Sequence, residues 1–356
     1  MSGLPLPVLL AVFIACAGAI WVAGIQLSDA TDVLATRLGL GEAFGGVVLL
    51  AIATNLPEIA ITGSAALAHN LGIAIGNILG GIAIQTVVLV ALDVFAVRGE
   101  RPLSYRAASL QLVLEAALVI AVLVVAVGGT QLPSSLIAFR VAPAGLLIAL
   151  LWAVGLLLLN RAGGDLPWHE AGQPPDNQDP PRGVARKKKD QQASEANRST
   201  TRIAAVFGLA AVVTLVAGVL LERSGEGIAG HIGFSGVLFG ATILAAATSL
   251  PELSTGLTSV RLGDYQLAMS DIFGGNAFLP VLFLFASLLS GSAVLPQAQH
   301  TDVYLTALGA LLTAVYLAGL IFRPRRRIAR MGIDSLAVLV LYVLGIAGLV
   351  AIAQGT

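Results

Sequence analysis

Apolar stretches alternate with short polar ones along the whole chain, and ten of them reach the length of about 20 residues that a helix needs to cross a bilayer's hydrocarbon core. They run over residues 4–25, 42–68, 71–96, 107–128, 138–160, 203–221, 234–260, 265–290, 301–322 and 333–354. This pattern predicts an all-α polytopic membrane protein with ten transmembrane helices. The first stretch has neither a basic leader nor a clear cleavage site, so it reads as a span rather than a secretory signal. One long polar interval, 161–202, is Pro-rich and short of core-forming residues. It is read as a flexible linker between a first unit, 1–160, and a second, 203–356.

Composition agrees. Of 356 residues, 57% are hydrophobic and only 11% charged, too apolar for a soluble domain and too weakly charged for a disordered one. The single Cys excludes a disulfide scaffold and a Cys-rich metal site. The basic run Arg186-Lys187-Lys188-Lys189 has no interleaved aromatics, so no nucleic-acid partner is expected; membrane-surface anchoring is the better use for it.

Charge distribution fixes an orientation. With the N-terminus outside, 18 of the 20 basic residues fall in inner loops, including Arg98, Arg101, Arg106, the 161–202 linker and Arg323–Arg330, and only Arg140 and Arg223 fall outside. By the positive-inside rule both termini are extracytoplasmic and the linker is cytoplasmic.

Sliding the chain by 194 residues aligns LGLGEAFGGVVLLAIATNLPEIA with IGFSGVLFGATILAAATSLPELS, and IAIGNILGGIAIQ with LAMSDIFGGNAFL. Pro57 meets Pro251, Glu58 meets Glu252, and Gly80-Gly81 meets Gly274-Gly275. Glu58 falls in span 2 and Glu252 in span 7, so the two copies enter the membrane in opposite directions. Such inverted repeats build many secondary transporters, with the substrate site between the halves near the midplane. Two repeats in one chain are compatible with a monomer.

Proline in a helix interior breaks the hydrogen-bond ladder but is tolerated in a first turn. Asn55-Leu56-Pro57-Glu58 and Ser249-Leu250-Pro251-Glu252 each place a capping side chain three residues before Glu, the spacing of a capping box. Spans 2 and 7 are therefore expected to break at Thr54/Asn55 and Thr248/Ser249 and to restart. The freed carbonyls of Ala53, Thr54, Ala247 and Thr248, with both carboxylates, make an all-oxygen site suited to Ca²⁺ or another hard cation. A cap contributes about 0.5–2 kcal/mol, whereas a charge near the bilayer centre costs about 2.5 kcal/mol or more. Capping alone does not explain the two glutamates.

Nineteen residues beyond each Glu come Asn77 and Asp271. Asn77, Gly81 and Gln85 share one helical face, as do Asp271, Gly275 and Leu279. The paired glycines flatten that face for close helix approach. Glu115, inside span 4, is a weaker candidate; Glu42 and Asp93 lie near span ends, where a charge costs little. His69, His169, His231 and His300 form no ligand spacing, and Trp21 and Trp152 read as packing or interface aromatics.

ATNLPEIA with GNILGG, and ATSLPELS with SDIFGGNAF, resemble the two signature repeats of the sodium/calcium exchanger family of the cation/calcium antiporter superfamily, in a divergent prokaryotic-type form. The resemblance spans essentially the whole chain. It implies two inverted five-helix repeats with broken helices 2 and 7, no cofactor, and transported Ca²⁺ with Na⁺ or H⁺ as counter-ion across a prokaryotic plasma membrane. It also implies Glu58 and Glu252 as central ligands, with Thr54 and Thr248 giving carbonyls. The chain departs from the family pattern at Asn55, where Ser is usual and Ser249 keeps it. It departs again at Gly81 and Gly275, which replace serines that help hold Na⁺, at Gln85 and Leu279, and at Ser270-Asp271, where the first repeat keeps Gly76-Asn77. The divalent centre is kept and the flanking Na⁺ sites are altered, which leaves H⁺ open as counter-ion; an Asp and two Glu facing one cavity suit proton exchange too.

Three other classes compete, and the third, a purely structural membrane protein, is disfavoured by two broken, charged helices. A cation channel would share the buried carboxylates but needs a continuous pore, commonly between several subunits. A membrane enzyme would need a nucleophile/base pair or a His-rich metal site, and the sequence offers neither.

Overall fold

Eight spans long and apolar enough to cross a membrane dominate the computed structural model, which describes residues 4–37, 52–162, 199–233 and 236–355. In chain order the helices are α1 (Leu6–Arg37), α2 (Leu56–Leu67), α3 (Leu71–Phe95), α4 (Leu103–Ala107), α5 (Leu110–Thr130), α6 (Pro143–Ala162) and α7 (Thr200–Ile232). A broken run follows: α8 (Gly236–Phe239), a π-helical turn over Gly240–Leu244, α9 (Ala245–Thr248) and α10 (Leu250–Leu262). Then come α11 (Tyr265–Phe278) and α12 (Leu282–Ser290), joined by a 3₁₀ turn at Pro280, then α13 (His300–Phe322) and α14 (Ile333–Gly355). Positions 39, 42 and 46 of the first repeat block, and residues 163–198 of the expected linker, lie outside the described residues.

The inner helices are α3 and the α11–α12 pair. The α3 span is 72% buried and Tyr265–Ser290 67%, against 17% for Ile333–Ala353, which places α14 at the periphery. Core residues Ile75, Ile78, Ile82, Leu89 and Leu92 of α3 pack with Ile272, Phe273, Leu305 and Leu312. The outer helices instead expose Leu150, Leu157, Leu158, Val343 and Leu344, the surface that lipid covers.

Three sequence expectations change. α1 and α7 run on well past residues 25 and 221, to 32 and 33 residues, and pack along one another. Their later turns carry polar residues that end an apolar window but not a helix, because hydroxyls bond back onto the ladder: Thr31 Oγ1 to the Leu27 carbonyl at 2.7 Å, and Ser224 Oγ to that of Leu220 at 2.7 Å. The fifth span begins at Pro143 rather than 138, since Ala138 and Val141 pair across a two-residue turn. Asp93, expected at a cheap span end, is fully buried. It accepts from the backbone N–H groups of Leu103 (2.9 Å) and Gly332 (2.7 Å) and from Ser335 Oγ (2.8 Å), with Arg327 3.6 Å away.

Contacts recur at fixed offsets. Gly24 of α1 faces Pro251, where an added Cβ would lie 2.8 Å from the proline Cβ. Gly218 of α7, 194 positions on, faces Pro57, where a Cβ would lie 3.2 Å from the Pro57 carbonyl oxygen. The turn before α6 holds Phe139 and Arg140 at φ of 50° and 64°; the turn before α14, inside the hairpin β1 (Arg327–Ile328) to β2 (Met331–Gly332), holds Ala329 and Arg330 at 51° and 68°. Positive φ at both central residues is the signature of a type I′ turn, here built twice without Gly or Asn.

Candidate cation site

Helical backbone at 52–54 and at Ala245–Thr248 is interrupted by one turn residue each, Asn55 and Ser249, before α2 and α10 begin. Pro57 and Pro251 take the second helical position, so the carbonyls of Ala53 and Ala247 receive no N–H from four residues on. The break points are those expected, but the capping boxes are not formed. Asn55 (φ −88°, ψ 14°) and Ser249 (φ −82°, ψ 7°) stay close to helical backbone instead of the extended conformation of a cap, and neither side chain caps its helix. Ser249 Oγ donates backward to the Ala245 carbonyl at 2.8 Å. With the caps absent, the two glutamates are released from a local duty.

Glu58 and Glu252 lie in the first turns of α2 and α10, both with 0% exposure. The N-terminal end of a helix favours negative charge. Among the described residues, neither oxygen of Glu58 and only one oxygen of Glu252 has a hydrogen-bond partner. Thr248 and Gln85 present polar side chains toward Glu58, and Glu252 lies within charge–charge range of both Glu58 and Asp271. The two LPE segments thus bring their carboxylates together from positions 194 apart. Buried carboxylate oxygens without donors are costly unless something positive meets them.

The inner helices complete the surroundings. Gln85 of α3 donates its amide to Glu252 Oε1 at 3.4 Å and to Asn55 Oδ1 at 3.5 Å. Gly275 makes room for Asn55: a Cβ there would lie 2.9 Å from Asn55 Nδ2. The larger Asn and the missing side chain are two sides of one substitution. In the other half, Gly81 faces Leu279 Cδ1, which a Cβ would approach to 3.5 Å. Asn77 is fully buried with both side-chain polar atoms unpaired, and Asp271 Oδ2 accepts from Thr255 Oγ1 at 2.6 Å. Thr54 and Thr248 are fully buried, with Thr248 Oγ1 3.1 Å from the Ala245 carbonyl.

Three contributors escaped the sequence reading. Thr255 lies three residues after Glu252, on the same helical face, and that spacing could have found it. Asn276 donates to Thr86 Oγ1 (3.2 Å) and to the carbonyl of Ile82 (3.4 Å), its own counterpart at the 194-residue offset. The π-helical turn at Gly240–Leu244 has no signal in the sequence; such turns are common near functional sites. Glu115, weighed as a weak candidate, is buried beside Ser270, whose hydroxyl donates to its Oε1 at 3.0 Å. Among the described residues no group of three or more His, Cys, Asp or Glu is arranged to hold a metal ion.

Comparison with known proteins places the chain. The sodium/calcium exchanger protein family profile matches residues 8–168 and 202–351. The inner membrane protein YrbG of Escherichia coli (strain K12) is 24% identical over 292 residues, 82% of each chain. The crystal structure of the H⁺/Ca²⁺ exchanger CAX superposes with a TM-score of 0.67 at 16% identity, over 97% of this chain and 85% of that one. The sodium-calcium exchanger NCX_Mj does so with a TM-score of 0.60 at 17% identity, over 96% and 99%. On sequence and fold together, this integral membrane protein belongs to the sodium/calcium exchanger family.

Proposed function

We propose that the protein is a secondary active antiporter that exchanges Ca²⁺ against Na⁺ by alternating access at a shared two-glutamate site. The observation that carries this reading is the pairing of Glu58 and Glu252, fully buried, side by side and short of hydrogen-bond donors. Their oxygens, with the carbonyls freed by Pro57 and Pro251 and those of Thr54 and Thr248, form a hard oxygen set for a divalent cation. Asn55 and Gln85, hydrogen-bonded to one another and, through Gln85, to Glu252, and Asp271 beside Glu252, are assigned to the same site, with Asn77 and Ser249 as its further polar groups. A cation bound there facing one side must be displaced by the counter-ion before the carboxylates return, so the site crosses only when loaded and the two fluxes are coupled.

Residues 1–160 and 203–356 serve as two inverted five-helix repeats, ten spans in all, joined by a cytoplasmic linker over 161–202. The matched contacts Gly24–Pro251 and Gly218–Pro57, and the twin turns at Phe139–Arg140 and Ala329–Arg330, support this arrangement. Arg98, Arg101, Arg106 and Arg323–Arg330 gather at one membrane end, where Arg323 stacks on Tyr105 and Arg327 reaches the carbonyls of Val97 and Gly99, which supports extracytoplasmic termini.

A second reading takes H⁺ as the counter-ion. The third carboxylate beside Glu252, Asp271, favours it, as does the absence of a hydroxyl at Gly81 and Gly275. Ca²⁺ uptake into reconstituted vesicles under separately imposed Na⁺ and H⁺ gradients tests both. A Na⁺ gradient is expected to drive uptake, an H⁺ response alone selects the second reading, and uptake driven by neither sinks the antiporter assignment.

A further inference from the structure

The arginine-rich end of the molecule holds two populations of arginine. One is engaged. Arg101 and Arg323 stack on Tyr105 with guanidinium carbons 4.9 and 4.5 Å from the ring centre, and Arg106 bonds Tyr265 Oη at 3.0 Å and the Arg98 carbonyl at 3.0 Å. Arg327 is pinned by Asp93, by the carbonyls of Asp93 (2.6 Å) and Gly99 (2.8 Å), and by that of Arg330. The other population is Arg98, Arg325, Arg326 and Arg330. All four are exposed, they rim one cleft, and among the described residues none of their guanidinium groups has a carboxylate within ion-pair distance. The cleft's one acidic neighbour, Glu100, is exposed and forms no ion pair.

Backbone strain holds this rim in place. Ala329 and Arg330 both adopt positive φ without Gly or Asn, a conformation that persists only where the surroundings over-determine it. Arg327 supplies that constraint by tying the hairpin to the end of α3. The same cleft is lined by bare apolar side chains: Phe95 is 77% exposed and Ile328 51%. Aromatic and aliphatic side chains next to unpaired guanidinium groups match a molecule with both an anionic head and hydrocarbon chains.

We propose that Arg98, Arg325, Arg326 and Arg330 form a binding site for the phosphate headgroup of an anionic phospholipid, whose acyl chains run along Phe95 and Ile328. Guanidinium pairs phosphate bidentately, and basic pockets at helix ends are where such headgroups dock. The site stands independently of the transport reading.

Native mass spectrometry of the full chain, extracted from vesicles of equal phosphatidylcholine and phosphatidylglycerol, tests it. The wild type is expected to retain phosphatidylglycerol in preference, and Arg98→Ala, Arg326→Ala and Arg330→Ala each to lower that preference about fivefold, the counterpart of about 1 kcal/mol per basic residue at an anionic surface. Arg101→Ala removes the same charge from the same face at an engaged residue and is expected to leave the preference unchanged. Unaltered retention in the Arg326→Ala/Arg330→Ala double variant, or an equal loss with Arg101→Ala, overturns the proposal. So does complete displacement of the lipid by inorganic phosphate at matched ionic strength, which would make the ligand a free anion.

Discussion

Gln85 reaches from α3 to Glu252 at the start of α10, placing its amide nitrogen 3.4 Å from Oε1, and the same nitrogen lies 3.5 Å from Asn55 Oδ1. One neutral donor therefore orients a carboxylate and an amide contributed by opposite halves of the chain. Hydrogen bonds to charged groups contribute about 1.5–3 kcal/mol, so Gln85→Ala is expected to raise the Ca²⁺ concentration for half-maximal uptake roughly tenfold or more. Because the donor is shared, Asn55→Ala on top of Gln85→Ala should add little. Strictly additive losses in vesicle uptake would show that the two amides act separately.

The glutamates themselves permit a sharper test. Glu58→Gln or Glu252→Gln keeps the volume and removes the charge from a buried position short of donors. Each variant is expected to lose Ca²⁺ exchange by about a hundredfold or more while melting at or above the wild-type temperature, since an unpaired buried charge is itself destabilising. Normal flux in the double variant would remove both residues from the site.

Away from the site, Asp93 and Arg327 join the end of α3 to the hairpin before α14. Asp93 is fully buried and accepts three hydrogen bonds. Arg327→Met leaves that charge without its cation and frees the carbonyls of Asp93, Val97 and Gly99. A loss of about 2–3 kcal/mol is expected. Arg327→Lys should fall in between, because a single ammonium cannot span those acceptors as a planar fork does. Thermal unfolding of the three proteins in one detergent measures the order.

Much of this was legible in the sequence, for identifiable reasons. Apolar length marked the spans, and proline, which cannot donate, marked the breaks at Asn55 and Ser249 to the residue. What local spacing could not carry was the partner. Asn55 and Glu58 have capping-box spacing, yet the backbone stays nearly helical, so the cap never forms and Asn55 turns to Gln85. Asp93 looked inexpensive because its distance from a span end was readable, whereas Arg327 lies 234 positions away and only the fold brings the two together. Gly275 reads as a lost serine until Asn55 is seen in the space a side chain would fill.

Two matched helix crossings test the internal symmetry. Gly24 and Gly218 occupy equivalent positions 194 residues apart, and each faces the proline of the opposite LPE segment, whose ring and backbone have no rotamer with which to yield. A Cβ at Gly24 would lie 2.8 Å from Pro251 Cβ, and one at Gly218 would lie 3.2 Å from the Pro57 carbonyl, both inside normal contact. Overpacking of this kind costs about 1–3 kcal/mol. Gly72, at the start of α3, has nothing among the described residues within 4 Å of an added Cβ, so Gly72→Ala is expected to stabilise by up to about 1 kcal/mol through helix propensity. Gly24→Ala should therefore lower the melting temperature while Gly72→Ala holds or raises it, with Gly218→Ala, at the looser crossing, falling between them. Because Pro57 and Pro251 each directly precede a glutamate of the proposed site, Gly24→Ala is also expected to weaken Ca²⁺ uptake. If Gly24→Ala melts and transports like Gly72→Ala, the α1–Pro251 crossing does not position the second glutamate.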